Sequence, residues 1–148
     1  MDINVIAKPR ANGVCVISLR GDIGAETVND FKMKIDGIIN NSTKKYIMDF
    51  QEVTYLNSIG VGAVAAALKK AKKFQGNIKL INVSPSVQEL FEMTRLTKVF
   101  EIFDSEEEAI SSYESNWVRR YNIRSKIEDW RLKANNSNYF LTTLTILT

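Results

Sequence analysis

Apolar residues change their spacing repeatedly along the first 112 residues, and each change predicts a new element. Residues 4–8 and 14–20 are rich in Val and Ile, which is typical of strands, and the turn-forming residues 9–13 separate them. These segments together predict a hairpin. From residue 25 the apolar positions recur at helical spacing up to Ile39, and the polar residues 40–42 end this first helix.

The second predicted helix, residues 58–74, follows a short apolar strand at residues 46–50. One helix face is an apolar stripe formed by Val61, Val64, Ala65, Leu68 and Ala71. The other face is nearly free of side-chain bulk in its first turns, where it carries Gly60, Gly62, Ala63, Ala66 and Ala67. Lysines at 69, 70, 72 and 73 collect at the negative end of the helix dipole, and Gly76 is expected to end the helix.

Strands and helices continue to alternate after this helix. Residues 77–83 predict a strand, and Ser84 with Pro85 is typical of a helix start. The expected inward face of this third helix consists of Val87, Leu90, Phe91 and Thr94. Residues 99–103 predict a last strand, and the acidic residues 104–108 begin a fourth helix, packed down by Ile110 and Tyr113. The order predicts an α/β fold with a mostly parallel mixed sheet of four or five strands, covered by about four helices.

Composition indicates one domain of globular size followed by an extension. The 148 residues are 45% hydrophobic and 25% charged, which suits a domain with a real core. Residues 113–148 carry six basic and three acidic side chains, whereas residues 1–112 carry 14 of each. The excess positive charge lies in the extension. The domain itself is neutral, so its charge gives no reason to expect nucleic-acid binding. Without a long apolar run or a secretory signal, no stable membrane insertion is expected and the expected location is cytoplasmic.

The reactive side chains argue against many kinds of enzyme. The chain has no histidine, which removes Ser-His and Cys-His catalysis and histidine-based metal sites. Its one cysteine, Cys15, lies in an apolar strand and is expected to be a small buried core residue. Gly60 and Gly62 lack the third glycine of a dinucleotide motif and the Gly-Lys-Ser/Thr of a phosphate-binding loop. A nucleotide-hydrolysing enzyme is therefore the weakest hypothesis, and no cofactor is expected.

Ser58 stands at the entry to the second helix, after a predicted parallel strand. A serine at this position is most simply a helix cap whose hydroxyl accepts from a backbone amide. The carboxyl end of a parallel strand is also where α/β sheets present their sites, and a phosphate there would meet free amides. The two roles are compatible.

The run from Asp49 to Gly62 carries a resemblance. It reads DFQEVTYLNSIGVG and resembles the D-L-S-x-V-x-x-[LM]-D-S-[ST]-G-[LV]-G signature of the STAS family of bacterial anti-sigma factor antagonists. The Gly21-Asp-Ile triplet is similar to the family's G-[ED]-L, and Lys79-Leu-Ile-Asn-Val83 follows at the proper distance. The resemblance covers roughly residues 3–112 and implies a STAS-like fold, with residues 113–148 as an added helical extension.

The resemblance also implies a function. Ser58 matches the serine that a cognate anti-sigma factor, acting as a serine protein kinase, phosphorylates with ATP in this family. The unphosphorylated antagonist binds the anti-sigma factor and releases sigma factor, and a PP2C-type phosphatase resets the switch. The partner-binding residues implied are Asp22, Ile23, Gly24, Asn57, Ser58, Ile59, Gly60, Val61 and Gly62. The alternative is a constitutive scaffold or transport-associated STAS subunit without phosphorylation control.

Three positions depart from the family pattern. Asn57 replaces the usual Asp, Gly24 stands where a second acid is common, and Ile59 replaces a second hydroxyl. The first two changes remove negative charge from the implied docking surface. Either the partner's surface differs, or phosphorylation is slow or lost. Asp49, with Glu52 nearby, offers too few ligands for a hard cation, so a structural or capping role is favoured over a metal site.

The extension predicts a basic amphipathic helix. Its apolar face would combine Tyr113, Trp117, Tyr121, Ile127 and Trp130, with basic residues Arg119, Arg120, Arg124, Lys126, Arg131 and Lys133 around it. Such a helix could meet a membrane surface, a partner helix or nucleic acid. Docking on its own domain or on a second copy, as a homodimer, is the favoured interpretation. Residues 139–148 are apolar and β-prone, without an evident place in the fold.

Overall fold

A computed structural model describes residues 2–114 of the chain. The strands are β1 (Ile3–Pro9), β2 (Val14–Ile23), β3 (Lys45–Leu56), β4 (Asn77–Ile81) and β5 (Ile102–Phe103). The helices are α1 (Val28–Ile38), α2 (Ser58–Lys73), α3 (Pro85–Met93) and α4 (Glu106–Ser112). The predicted amphipathic helix beyond Tyr113 and the β-prone residues 139–148 lie outside the described residues.

The five strands form one mixed sheet in the order β1-β2-β3-β4-β5. β1 runs antiparallel to β2, with Val5 opposite Leu19, and every later pair is parallel. Sequential strands lie side by side because each parallel connection after the hairpin is a crossover through a helix. The predicted fold class, a mostly parallel mixed sheet with about four helices, is confirmed.

Helices cover both faces of the sheet, and the side chains of the central strands alternate between two cores. On β2, Cys15, Ile17 and Leu19 join the larger core with α1, α2 and α3. Val14 and Val16 point the other way into a smaller core that α4 closes with Ala109. Because the central strands are covered on both faces, their near-continuous Val and Ile content follows from burial. Cys15 is a core residue, as predicted, and burial raises the pKa of its thiol.

β3 extends to Leu56, well beyond the predicted strand at residues 46–50. Its pairing with β2 contains two irregularities, so that β3 has an extra residue before Glu52 and another before Tyr55. Gln51, Glu52 and Thr54 are exposed. The second half of the strand was missed because its residues are polar and face solvent. The connection between β3 and α2 is therefore much shorter than the sequence suggested.

Three other predicted boundaries are wrong. α1 begins at Val28 instead of residue 25, because Thr27 closes a turn: its hydroxyl donates to the Asp22 carbonyl over 2.7 Å and accepts from Gly24 N–H over 3.0 Å. β5 is only two residues long because residues 96–98 form a 3₁₀ turn, which leaves Val99 exposed. β4 ends at Ile81 because the next residue is left-handed.

The faces of α2 differ from the prediction in its small residues. Ala63 and Ala67 are buried, although the pattern placed them on the open face, and Ala65 is only partly buried. The end of the helix also differs. Gln75, with φ of 64°, takes the left-handed position expected of a glycine, and Gly76 N–H donates to the Ala71 carbonyl over 2.7 Å. Gly76 is needed for space, since a Cβ there would lie 2.9 Å from the Lys44 carbonyl oxygen.

α3 starts where the sequence predicted, whereas α4 starts at Glu106, two residues after the predicted start at Asp104. Ser84 caps α3 by accepting from Val87 N–H, and Ser105 caps α4, whose first turn is acidic. Phe91 is fully buried, and Val87 and Leu90 pack against the larger core. Thr94 is exposed, contrary to the prediction, and its hydroxyl donates to carbonyls of its own helix.

Tyr113 anchors the end of α4 on the sheet, as the sequence predicted. Its ring lies 4.1 Å from Nζ of Lys79, a nearly buried lysine of β4. The Tyr113 hydroxyl lies 2.6 Å from the Tyr46 carbonyl and 2.9 Å from the Asn77 carbonyl, to which it can donate. This contact joins α4 to two central strands.

Candidate functional site

Ser58 is the first residue of α2 and lies at the carboxyl end of β3, the central parallel strand. Its side chain is exposed. The helix cap is Asn57, whose Oδ1 accepts from Gly60 N–H over 3.1 Å, so the expectation that Ser58 caps the helix is wrong. Asn57 takes this role because its backbone is extended, with φ of −114° and ψ of −174°, as a capping residue requires.

The cap on Asn57 leaves the Ser58 hydroxyl available. Within residues 2–114 this hydroxyl has no hydrogen-bond partner. The backbone amides of Ser58 and Ile59 precede the first α-helical hydrogen bond, which Val61 N–H makes to the Asn57 carbonyl. The first turn of α2 contains no acidic residue, so the positive end of the helix dipole is uncompensated by side chains there. An added phosphate would find favourable local electrostatics.

The two glycines after Ser58 have different environments. A Cβ on Gly60 would lie 2.3 Å from the Ile23 carbonyl oxygen and 2.5 Å from Cδ1 of Leu56, so this glycine permits close packing of α2 on the end of β2. A Cβ on Gly62 would meet nothing within 4 Å, and this residue is exposed. Small residues at these positions can serve packing within the fold or let the backbone of a partner approach closely. Gly60 serves packing, and Gly62 leaves the surface open.

The end of β2 lies beside the start of α2, so the structure brings together both segments that the resemblance selected. Asn57 N–H donates to the Ile23 carbonyl over 3.5 Å. Asp22 Oδ1 accepts from the Thr54 hydroxyl over 2.5 Å, which holds this carboxylate at the end of the sheet.

Burial divides the predicted partner-binding residues. Ile23, Gly24, Gly60 and Val61 are buried, so they shape the surface from beneath. Asp22 and Asn57 are half-buried. Ser58, Ile59 and Gly62 are exposed, with 47% of Ile59 accessible. A partner at this surface would therefore meet the backbone and exposed side chains of the first turn of α2, beside the half-buried Asp22 and Asn57.

A pocket of about 200 Å³ lies next to Asn57, and sequence analysis did not anticipate it. Its lining residues are Asp22, Gly24, Ala25, Glu26, Thr27, Tyr55 and Asn57. Tyr55 is 53% exposed, which is unusual for an aromatic residue at the end of a strand. The alternation of Val53, Thr54 and Tyr55 was a signal that the strand continued, but it would place Tyr55 on the same face as Val53, which packs against the core. The irregularity in pairing before Tyr55 breaks this alternation, and Tyr55 is exposed. With two carboxylates and an aromatic ring, the pocket suits a basic side chain.

Gly24 is one of the departures from the family pattern, and close neighbours explain why this position has no side chain. A Cβ at this position would lie 3.3 Å from Cε1 of Tyr55 and 3.3 Å from Nδ2 of Asn57. A larger residue would require Tyr55 or the capping side chain to shift. Gly24, Tyr55 and Asn57 are thus mutually adapted.

Asp49 has a structural role. It lies within β3, not at a strand end as the sequence suggested. Its Oδ1 accepts from Gln51 N–H over 3.0 Å, at the irregularity of β3, and from Nδ2 of Asn82 over 3.1 Å. These contacts support the left-handed Asn82, which ends β4. Among residues 2–114, no group of three or more His, Cys, Asp or Glu side chains could hold a metal ion.

Comparison with known proteins identifies a family. The family model of the STAS domain matches residues 5–109, which include both segments of the candidate site. The anti-sigma-B factor antagonist of Listeria monocytogenes is 29% identical over 108 residues, covering 73% of this chain and 95% of that protein. None of the helices in the described part of the chain is long and apolar enough to cross a membrane.

Solved structures share the fold. An anti-sigma factor antagonist from Mycobacterium paratuberculosis superposes with a TM-score of 0.68 at 23% identity, covering 76% of this chain and 95% of that one. The phosphorylated form of the Bacillus cell fate determinant SpoIIAA superposes with a TM-score of 0.58 at 24% identity, covering 74% of this chain and 98% of that one. At these identities the likeness establishes the fold.

Proposed function

The chain belongs to the STAS domain family, and we propose that it is an anti-sigma factor antagonist controlled by phosphorylation of Ser58. Unmodified, it binds an anti-sigma factor that is also a serine protein kinase, and sigma factor is released. Phosphorylated, it dissociates until a PP2C-type phosphatase removes the phosphate. In this role the protein is a cytoplasmic binding switch without catalytic activity or a cofactor of its own.

The observation that carries this proposal is the exposed hydroxyl of Ser58 at the start of α2, which has no hydrogen-bond partner among residues 2–114. A kinase needs the acceptor hydroxyl to be reachable, and the Asn57 cap makes it so without loss of the helix start. The anti-sigma factor antagonists among the relatives, and a phosphorylated form among the related structures, support the same role.

The site explains how phosphorylation would act on binding rather than on folding. A phosphate adds a charge of about −1.5 to −2 at neutral pH. At the start of α2 it lies near free amides and the positive end of the dipole, so the domain should remain folded. The charge instead changes the surface next to Ile59 and Gly62, where a partner fitted to an uncharged serine meets repulsion and lost contact.

A phosphorylation assay tests the proposal. The protein is incubated with ATP and the anti-sigma factor of its own organism, and modified residues are mapped by mass spectrometry. Wild-type protein should take up one phosphate, on Ser58, and Ser58→Ala should take up none. Ser86→Ala is a matched control, because Ser86 is an exposed serine in the first turn of another helix. Equal phosphate uptake by the Ser58→Ala protein would exclude the site.

The adaptation of Gly24 and Asn57 favours a second candidate, a constitutive STAS scaffold or transport-associated subunit. Both positions lack the acid common in the family, and Asn57 is committed to its cap. In this case the same surface binds a partner without a kinase. Phosphomimetic Ser58→Asp protein would then bind its partner as tightly as wild-type protein does, whereas the switch requires weaker binding.

A further inference from the structure

A groove between α1 and α2 lies outside the Ser58 site. It consists of two adjoining hollows of about 710 and 250 Å³ that share Asp36, Ala66 and Lys70. The floor is apolar: Ala66 is exposed and Phe74 is half-buried, and the buried Phe31 and Ile35 lie beneath them. The rim is formed by the lysines Lys32, Lys69, Lys70, Lys72 and Lys73.

The charge of the groove is almost entirely positive and uncompensated. Lys70 pairs with Asp36, the one acid of the lining, over 3.0 Å. Lys32, Lys69, Lys72 and Lys73 have no carboxylate within ion-pair distance among residues 2–114. The first 112 residues are neutral as a whole, so this surface concentrates positive charge that elsewhere is balanced.

The helix dipole explains only part of this arrangement. Lys70, Lys72 and Lys73 lie in the last turn of α2, where cations are favourable. The dipole of α2 does not account for Lys32, which comes from α1 and faces the same groove. It also does not account for an apolar floor between the two helices. An apolar floor with a basic rim is complementary to an amphipathic helix that carries acidic residues.

We propose that the α1–α2 groove docks an acidic amphipathic helix of the anti-sigma factor, as a second anchor beside the Ser58 surface. This inference rests on the proposed function. α2 carries both surfaces. At a rise of about 1.5 Å per residue, Ala63 of the groove lies about 8 Å from Ser58 along the helix axis, and Lys69 lies about 16 Å from Ser58. One partner domain can therefore span both, and the lysines orient it relative to the serine.

Charge favours this occupant over the others. Residues 115–148 carry six basic and two acidic side chains, so the extension has the same sign as the groove. A second copy offers acids on two helices, the first turn of α4 and Glu89 and Glu92 of α3, but both helices already bury their apolar residues Ala109 and Phe91 in their own domain. Nucleic acid and an anionic lipid surface match the charge of the rim, but neither presents an apolar ridge that would fill a groove between two helices.

The test compares two variants of the full chain with the same change in net charge. In the groove variant, Gln replaces Lys69, Lys72 and Lys73. In the control variant, Gln replaces three lysines outside the groove, namely Lys8, Lys45 and Lys98. Calorimetry measures the affinity of each for the anti-sigma factor of the organism at 50 and 300 mM salt. The groove variant should bind at least tenfold more weakly at low salt and lose most of the salt dependence, and the control should change less than threefold.

Further measurements separate the possible failures. Equal weakening of both variants would overturn the groove proposal while leaving the proposed function intact, and failure of wild-type protein to bind would overturn both. A 30-base-pair DNA duplex and vesicles with 30% phosphatidylglycerol test the other anionic surfaces, and sedimentation tests self-association. The groove variant could lose DNA binding, vesicle binding or self-association while its binding to the anti-sigma factor is unchanged. That result would assign the groove to the corresponding occupant and overturn the proposal.

Discussion

At the scale of single residues, the site depends on a division of roles between Asn57 and Ser58. Both residue types cap helices well, and the backbone decides which one does so. The extended conformation of Asn57 gives it the cap, which leaves the Ser58 hydroxyl free at the surface. The departure from the family's usual Asp therefore keeps the capping oxygen and removes only its charge.

Substitution of Asn57 should separate its capping role from that of Ser58. Asn57→Ala removes the bond to Gly60 N–H and should lower the free energy of unfolding by about 1 kcal/mol. Asn57→Asp keeps the oxygen and should be at least as stable as wild type, since a negative charge is favourable at a helix start. Urea unfolding measures both. A fully stable Asn57→Ala protein would show that the cap contributes nothing.

The two glycines of α2 offer a matched pair of substitutions. Gly60→Ala places a methyl group against the Ile23 carbonyl and should destabilise the protein by about 2 kcal/mol or more. Gly62→Ala meets open space and should stabilise it by about 0.5–1 kcal/mol, because alanine is the better helix former. Thermal or urea unfolding would show the opposite signs. Similar effects at both positions would contradict the packing described for Gly60.

The sequence predicted the position of the candidate site better than its details. Ser58 was expected at the meeting of a parallel strand and a helix, and it lies there because that junction follows from apolar spacing alone. The cap on Asn57 depends on one backbone conformation, which residue preference does not determine. The pocket at Tyr55 depends on two irregularities in the pairing of β3, which no local pattern specifies.

At the scale of elements, the predictions succeeded where burial dictates the sequence. β2 and α2 are strongly patterned because they pack into the core, and both were predicted with nearly correct starts. The second half of β3 and most of the predicted last strand were misassigned because exposed residues carry little pattern. β5 pairs with the sheet through only two residues, and the residues shortly before it form a 3₁₀ turn instead of extending the strand.

The attachment of α4 should depend on the Tyr113 hydroxyl. Tyr113→Phe leaves a strand carbonyl without its donor and should lower the free energy of unfolding by about 1 kcal/mol at neutral pH. Tyr55→Phe, which removes an exposed hydroxyl, is the control and should have little effect. Urea unfolding at pH 7 measures both, and equal stability of all three proteins would contradict the anchoring role.

Alkaline pH gives a second test of the same contact. Burial, with a contribution from the Glu101 carboxylate, raises the pKa of Tyr113 above its ordinary value near 10. The folded protein therefore holds this proton more tightly than the unfolded chain. The resulting stability is complete below pH of about 10 and is lost as pH rises above it. Between pH 9 and 11, Tyr113→Phe should lose less stability than wild type does, and parallel curves would contradict the assignment.

At the scale of the whole molecule, we propose that residues 1–112 form the STAS domain and that residues 113–148 are a basic extension, whose first residue, Tyr113, is held on the sheet. The two cores are closed by side chains up to Tyr113. A chain that ends at Glu114 should therefore unfold cooperatively in urea. A gradual, non-cooperative transition would show that the extension is part of the fold.

The proposed surface combines features from several parts of the molecule. In this proposal the Ser58 turn is the switch, the pocket beside Asn57 supplies two acids before the start of α2, and the α1–α2 groove supplies lysines farther along the same helix. Opposite charges at the two ends would allow only one orientation of a partner. A single phosphate at Ser58 lies between them, where it can disturb the fit of the whole interface.

The affinity of the protein for its anti-sigma factor, measured by calorimetry with and without charge at Ser58, tests the central claim most directly. Unmodified wild-type and Ser58→Ala proteins should bind with similar affinity, since the hydroxyl is exposed and makes no hydrogen bond within the described part of the chain. Protein phosphorylated on Ser58 and the Ser58→Asp variant should bind at least tenfold more weakly while unfolding at the same urea concentration as wild type. Equal affinity of the phosphorylated and unmodified proteins would contradict the switch.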